Sequence, residues 1–275
     1  MPASPTAPAS PTSGSPSSAS AAPPASAAAS PSAATAGPSG LEGRRIVVIG
    51  AGSRMGRALA VRASSAGAEL ILAGPDLGKL KLTADELPGA VRILALDLMD
   101  EDSIVGFAAE AGEFDHLVST AAMPANGPVA ELELAAVQRA FTAKVTGPLM
   151  LAKHLAGQVR EGGSFTFFSG VAAWRPAPGR VVMATTNGAL AFLVEALAVE
   201  LAPLRVNAVS PGIVDSGAWD GMGDGKEPFL RQVAEQNPAR RVGTPDDIVQ
   251  AVLFTLTNPY VTGTVVHVDG GGRLA

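Results

Sequence analysis

The sequence predicts an α/β fold, a doubly wound parallel sheet of about seven strands in a single domain. Two observations predict it. Short apolar runs rich in Val, Ile, Leu and Phe alternate with helical stretches along residues 41–275, which is the order of a parallel sheet with helices on both faces. The runs are almost continuously apolar, as expected for strands that are buried on both sides.

The first half of this region gives three strands and two helices. The run Arg45–Ile49 leads into a Gly-rich turn, after which a helical pattern continues through Ala66. A second run, Glu69–Ala73, and a third, Val91–Leu96, follow, and the third ends at Asp97. Apolar residues at helical spacing then predict a helix over residues 100–111.

The second half repeats the alternation with longer helices. Strands are predicted at 116–119 and 164–168, and two more at 205–209 and 264–268. Helices are predicted over 131–157 and 181–201, between these strands. No internal repeat is present, so the seven strands form one sheet of one domain.

Residues 1–40 differ in composition from the rest of the chain. After Met1 they contain only Ala, Pro, Ser, Thr and Gly, with no charged side chain. Such a segment buries too little apolar surface to offset its ordering entropy, which predicts a disordered tail. It lacks the basic start and continuous apolar stretch of a secretory signal.

Composition excludes several classes of function. The chain has no cysteine and three scattered histidines, which excludes disulfides and thiolate metal sites and argues against a zinc site. A net charge of −5 gives no support for nucleic-acid binding. No window of 18 apolar residues is free of charges and breakers, so no membrane span is expected. These features fit a cytoplasmic protein.

The turn after the first strand carries the strongest chemical signal. It reads Gly50-Ala-Gly-Ser-Arg-Met-Gly56 and leads directly into the first predicted helix. Glycines here allow a tight turn and a close approach of the backbone to a phosphate, and the N-terminus of the helix favours the negative charge. Phosphate binding of this kind requires the glycine loop to lie between a strand and a helix, as it does here. The sequence therefore predicts a dinucleotide site of Rossmann type.

Several separated segments then resemble the short-chain dehydrogenase/reductase family. Gly50 and Gly56 match the outer glycines of its nucleotide loop, and Asp97-Leu98 resembles its adenine-binding pair. Residues 205–214 and 261–271 are close to family segments that contain the sixth and seventh strands. The resemblance implies an NAD(P)(H)-dependent oxidoreductase that acts on a small carbonyl, imine, enone or alcohol, and a homodimer or homotetramer paired through its long helices.

The resemblance also implies where the cofactor would lie. NADP is favoured because Arg54 replaces the middle glycine of the loop and Arg suits phosphate. An Asp or Glu in place of Gly74 would have indicated NAD, and an Arg in place of Pro75 would have indicated NADP. Neither is present, so NAD stays possible. The implied cofactor-binding residues are Gly50, Gly52, Ser53, Arg54, Met55, Gly56, Asp76, Asp97, Leu98, Thr120, Ala121, Ala122, Lys144, Asn187, Pro211, Gly212, Val214 and Ser216.

The family's four catalytic residues are all replaced in this sequence. Its Asn, Ser, Tyr and Lys fall on Lys144, Gly170, Met183 and Asn187. Met183 has no proton to give, and the only tyrosine, Tyr260, lies just before the last strand. The family's usual proton transfer by tyrosine is therefore not available to this chain.

Lys and Asn have in effect exchanged places, which leaves two hypotheses. In the first, Lys144 reaches the site from the neighbouring helix as the surviving cation, Ser169 supplies a hydroxyl, and hydride transfer is retained. In the second, the scaffold is repurposed as a cyclase or isomerase-like catalyst, or as a nucleotide-responsive binding protein. Residues 215–226, with four glycines and Trp219, are expected to form a mobile lid over the substrate.

Overall fold

A computed structural model describes residues 40–275, and the predicted disorder of residues 1–40 therefore falls, except for Gly40, outside the described part. Seven parallel strands form one sheet in the order β3-β2-β1-β4-β5-β6-β7. The predicted parallel α/β architecture is confirmed. The strands are β1 Arg45–Ile49, β2 Glu69–Gly74, β3 Val91–Ala95, β4 Phe114–Ser119, β5 Val159–Phe168, β6 Arg205–Pro211 and β7 Val265–Val268.

Eight α-helices connect and follow these strands in the described residues. They are α1 Arg54–Ser65, α2 Leu77–Ala84, α3 Glu101–Ala111, α4 Leu134–Phe141, α5 Gly147–Leu155, α6 Val181–Glu200, α7 Lys226–Gln236 and α8 Pro245–Thr257. Helices α2 and α7 are not among the helices predicted from the sequence. Helix α8 begins with a capping box in which Thr244 and Asp247 satisfy each other's backbone N–H groups.

The helices cover both faces of the sheet, which gives the domain two hydrophobic cores. In β1 the alternation of side chains sends Val47 and Ile49 to one face and Ile46 and Val48 to the other. Helices α3, α5 and α6 pack on the first face, and α1, α2 and α8 on the second. The carboxyl ends of all seven strands meet at one edge, where the loops of the candidate site gather.

The predicted single helix over 131–157 is wrong in detail. It begins at Leu134 and is divided by a π-helical turn, Thr142–Thr146, before α5. The cause is Pro148, which has no N–H to give to the carbonyl of Lys144 and crowds that carbonyl. The backbone widens instead, and the Gly147 N–H bonds to the carbonyl of Thr142 five residues back. The turn places Lys144 on the inner side of the helix, where it is buried.

Helix α6 is long and apolar enough to cross a membrane by length and composition alone. Its buried residues Leu190, Val194 and Leu197 belong to the core on the first face of the sheet. Glu195 interrupts its apolar surface. These contacts are those of a core helix in this fold.

A buried histidine lies in the middle of the sheet. His116 of β4 is hydrogen-bonded through Nδ1 to the Ser164 hydroxyl of β5 at 2.9 Å. Burial, helped by the positive charge of Arg205, lowers the pKa of His116 from 6.5 to about 4. The folded protein therefore keeps this imidazole neutral at a pH where the unfolded chain takes up a proton.

This difference predicts acid sensitivity. The contribution of His116 to the free energy of unfolding is complete above pH 6.5. It is lost as the pH falls from 6.5 towards 4, because over this range the unfolded state gains a proton that the folded state does not. His116→Gln should reduce the loss of unfolding free energy between pH 6.5 and 4.5 by about 2 kcal/mol, measured by urea denaturation. His154→Gln, at a half-buried position on α5, is the control. A wild-type slope in both variants would refute this role of His116.

Candidate active site

The loop between β1 and α1 is closed too tightly for any residue but glycine at two positions. Gly50 has a φ of +83°, and a Cβ on it would lie 2.6 Å from Thr120 Oγ1. A Cβ on Gly56 would overlap the carbonyl oxygen of Gly50. Thr120 in turn donates to the carbonyl of Ile49 at 3.1 Å, so the start of the loop after β4 lies directly against the glycine loop.

The open side of this loop is the N-terminus of α1. Ser53 caps the helix, and its hydroxyl accepts the Gly56 N–H at 3.1 Å. No acidic side chain lies in the first turn, which leaves the positive end of the helix available to an anion. A glycine-lined cradle at a helix N-terminus fits the pyrophosphate of a dinucleotide. The Ser53 oxygen accepts in the cap, which leaves its O–H to donate to an anion.

Arg54 joins the glycine loop to the predicted lid. Its guanidinium lies 2.7 Å from Asp220, and Gly217 passes so close to it that any side chain there would overlap the guanidinium. Lys226 binds Asp220 at 2.9 Å and Asp215 at 2.8 Å. The predicted lid thus carries ion pairs of its own, which the sequence alone does not reveal. Arg54 faces the lid in this structure.

The adenine end of the cleft lies beyond β2 and β3. Asp76 caps α2 by accepting the Lys79 N–H at 3.0 Å, and this bond lowers the pKa of Asp76. One of its oxygens is therefore engaged in the helix cap. Asp97 is exposed after β3 and accepts the Met99 N–H at 2.9 Å. Lys79 packs so closely on Gly52 that a Cβ there would lie 2.9 Å from its side chain.

The other end of the cleft is built by the loops after β4, β5 and β6. Gly212 packs on Asp269 so closely that a Cβ would lie 2.6 Å from the Asp269 Cα. Val214 is buried and pairs with Gly243. The structure thus gathers at one sheet edge the predicted residues Gly50, Gly52, Ser53, Arg54, Met55, Gly56, Asp76, Asp97, Leu98, Thr120, Ala121, Ala122, Ser169, Gly170, Pro211, Gly212, Val214 and Ser216.

Lys144 points into the protein from the π-helical turn. It is 4% exposed, and its ammonium donates to the carbonyl of Phe168, the last residue of β5, at 2.5 Å. No carboxylate of residues 40–275 forms an ion pair with it. Burial lowers the pKa of Lys144 to about 8. An ammonium has three N–H donors, so two are left beyond the bond to Phe168.

Four hydroxyls near the site are engaged with backbone carbonyls. Ser169 donates to the carbonyl of Asn187 at 2.9 Å. Thr185 and Thr186 donate to carbonyls one turn earlier in α6. Thr120 is used within the glycine loop. In this structure the Ser169 hydroxyl is therefore engaged as a donor, and its oxygen can still accept a hydrogen bond from a substrate.

The phenol of a tyrosine is absent from the site. Met183 is half-buried on the first turns of α6, and Tyr260 is 96% exposed. Tyr260 precedes β7 and thus lies towards the opposite edge of the sheet. Asn187 is buried beside Gly170, with no hydrogen-bond partner in the described residues for its Oδ1 atom. Within residues 40–275 no group of three His, Asp or Glu side chains could hold a metal ion.

Comparison with known proteins identifies the family. A family model described as enoyl-(acyl carrier protein) reductase matches residues 50–272. The short-chain dehydrogenase/reductase malC of Malbranchea aurantiaca is 32% identical over 250 residues, which cover 84% of this chain and 95% of that protein. The chain belongs to the short-chain dehydrogenase/reductase family.

Solved structures of the family share the fold closely. A small-chain dehydrogenase in complex with NADPH is 32% identical, with a TM-score of 0.72, over 85% of this chain and all of that one. The MalC reductase/Diels–Alderase of Malbranchea aurantiaca is 29% identical, with a TM-score of 0.80, over 86% of this chain and 98% of that one. These structures support the Rossmann-like fold and the NAD(P)-binding character of this short-chain dehydrogenase/reductase.

Proposed function

We propose that this protein is an NADPH-dependent oxidoreductase that transfers hydride to or from a small carbonyl, imine, enone or alcohol. The observation that carries the proposal is the glycine loop at the N-terminus of α1, where Gly50 and Gly56 pack against Thr120 and the loop's own backbone so tightly that nothing larger than glycine fits, and where no acidic side chain lies in the first turn of the helix. A similar solved structure holds NADPH, which supports the same cofactor here. The bound dinucleotide would supply the hydride, and the protein would orient and protonate the substrate.

The preference for NADP over NAD rests on charge at the adenine end. No carboxylate stands at Gly74 or Pro75 to accept both hydroxyls of a ribose, and Asp76 is engaged as a helix cap. The cationic side chains of Arg54 and Lys79 are largely exposed beside the loop, and a 2′-phosphate would have to compete with their present ion pairs to Asp220 and Asp76. Such cationic groups favour a 2′-phosphate over a free ribose hydroxyl.

Lys144 is the group that we assign to proton transfer. Its pKa of about 8 lies close to neutral pH, where a general acid both holds its proton and gives it up readily. Because Lys144 is buried behind the Phe168 carbonyl, the proton would reach the substrate through a water. Substrates that need only modest assistance, such as imines and activated enones, suit this arrangement best.

A second candidate is a cyclase or isomerase-like catalyst on the same scaffold, or a nucleotide-responsive binding protein. The observation that favours it is that Met183 and Gly170 offer neither a phenol nor a hydroxyl, while the neighbouring Ser169 hydroxyl donates to the carbonyl of Asn187. The similar Malbranchea structure is described as both a reductase and a Diels–Alderase, so its name pairs the two chemistries that we weigh here.

The experiment that separates the two candidates combines binding with turnover. NADPH and NADH are titrated against the purified protein by fluorescence, and NADPH consumption is followed with a panel of ketones, imines and enones. We expect NADPH to bind more tightly than NADH and at least one imine or enone to be reduced. Tight binding without turnover would favour the second candidate, and binding of neither cofactor would refute both nucleotide-dependent functions.

Replacement of the buried amine should reduce turnover sharply. Lys144→Met keeps an unbranched side chain of similar volume and removes the ammonium, so kcat should fall by roughly 100-fold or more. In the wild type kcat should decrease as the pH rises through about 8, since Lys144 then loses its proton, and this decrease should be absent in the variant's residual activity. Lys153→Met, on the exposed side of α5, is the control. Equal kcat values would remove Lys144 from the mechanism.

We also propose that the protein is a cytoplasmic homo-oligomer, a dimer or tetramer paired through α4–α5 and α6. Both surfaces expose large apolar side chains, which a soluble monomer rarely collects in one area. On α6 these are Phe192, 74% exposed, and Val199, 81% exposed. On α4 and α5 they are Leu134 and Leu149.

A charge on this surface should separate the subunits. Phe192→Asp would place a carboxylate in the apolar contact, so light scattering should show a mass of one chain where the wild type shows two or four. Leu82→Asp, at an equally exposed position on α2 away from these helices, should keep the wild-type mass. A monomeric wild type, or an oligomer unaffected by Phe192→Asp, would refute this interface.

A further inference from the structure

The side chain of Arg54 lies between the glycine loop and the predicted lid. Arg54 is the first residue of α1, where the N-terminus of the helix would meet a phosphate. Its guanidinium nevertheless binds the Asp220 carboxylate at 2.7 Å. Gly217 has a φ of +83° and packs on the same guanidinium, so that a side chain there would overlap it. The lid thus holds Arg54 with one carboxylate and one bare stretch of backbone.

The two partners of this ion pair depend on each other unequally. Asp220 also binds the Lys226 ammonium at 2.9 Å, within the predicted lid. Arg54 has no second carboxylate within ion-pair distance in residues 40–275. If Arg54 turned to another anion, Asp220 would keep Lys226 and every charge would stay paired. The side chain of Arg54 is 66% exposed and that of Asp220 41%, and pairs this exposed exchange partners at little cost.

A phosphate has an advantage over Asp220 in such an exchange. It can form two parallel hydrogen bonds with the planar guanidinium, and at this position it also gains the free N–H groups of the first turn of α1. The Asp220 carboxylate is supplied from the lid and bonds only the side chain of Arg54 there. Two anions on one guanidinium repel each other, so Arg54 binds either the carboxylate or the phosphate.

We propose that Asp220 competes with a phosphate of the dinucleotide for Arg54, so that the Arg54–Asp220 pair acts as a latch between the glycine loop and the predicted lid. The latch holds the lid when no cofactor is bound, and a phosphate that takes Arg54 releases it. This inference rests on the proposed dinucleotide-dependent function. It makes Asp220 a residue that sets cofactor affinity without touching the cofactor, and it links cofactor binding to the freedom of the lid.

Hydrogen exchange tests the latch without any ligand. Arg54→Met removes the cation, so the amide exchange of residues 217–225, followed by mass spectrometry, should become roughly two- to fivefold faster. Arg57→Met is the matched control, because Arg57 lies on the same helix and binds Glu86, outside the lid, at 2.6 Å. It should leave the exchange of 217–225 unchanged. Wild-type exchange of this segment in Arg54→Met would overturn the latch.

A double-mutant cycle tests the competition. Asp220→Asn removes the competing charge and should tighten NADPH binding by roughly two- to fivefold in calorimetric titration. In an Arg54→Met background the same substitution should have no effect. Asp215→Asn is the matched control, since Asp215 binds the same Lys226 at 2.8 Å and forms no ion pair with Arg54. An unchanged affinity in Asp220→Asn, or a tightening that persists without Arg54, would overturn the competition.

NADH as a second ligand shows which phosphate competes. Tighter binding of both NADH and NADPH by Asp220→Asn assigns the competition to the pyrophosphate, and tighter binding of NADPH alone assigns it to the 2′-phosphate. Either result supports the proposal. If neither the wild type nor Asp220→Asn bound NADPH or NADH, the proposed function would fail together with the competition. That result differs from NADPH binding that is normal in strength and insensitive to Asp220, which would overturn the competition alone.

Discussion

The candidate site is organised around a charged amine that is held out of water. Lys144 keeps one carbonyl partner, on Phe168, and forms no ion pair in the described part of the chain. An ammonium buried in this way costs several kcal/mol relative to water, which is why its pKa falls to about 8. The π-helical turn before Pro148 is what directs the side chain inward, in keeping with the frequent occurrence of such turns at functional sites.

The replaced positions around this amine are consistent with one another. With a cation arriving from the π-helical turn, a second lysine at 187 would bring two buried positive charges together. A short amide at that position avoids the repulsion and fits only because Gly170 leaves space. A side chain at 170 would force the carboxamide to shift. In the proposed alignment, the residues at the family's Ser, Tyr and Lys positions are therefore compatible with one another in size and charge, while the glycine loop keeps its two outer glycines.

Much of the fold could be predicted from the sequence because buried parallel strands are continuous apolar runs and the glycine loop has a fixed place between strand and helix. Helix α2 was missed because it has only eight residues and lacks a strong apolar face. The inward direction of Lys144 depends on a π turn that helical periodicity does not reveal. The pairing of Arg54 with Asp220 joins segments more than 160 residues apart, and the engagement of Ser169 by α6 depends on tertiary contact alone.

The sign of the charge at Lys144 bears on which substrate the site would accept. With a pKa of about 8, roughly nine-tenths of the molecules carry the ammonium at pH 7. A nearby positive charge disfavours a substrate that is already cationic and stabilises one on which negative charge develops. Carbonyls and enones gain negative charge on oxygen when hydride arrives, and a neutral imine can take the proton itself. A preformed iminium would be repelled, so electrostatics favours acceptors that enter the site uncharged.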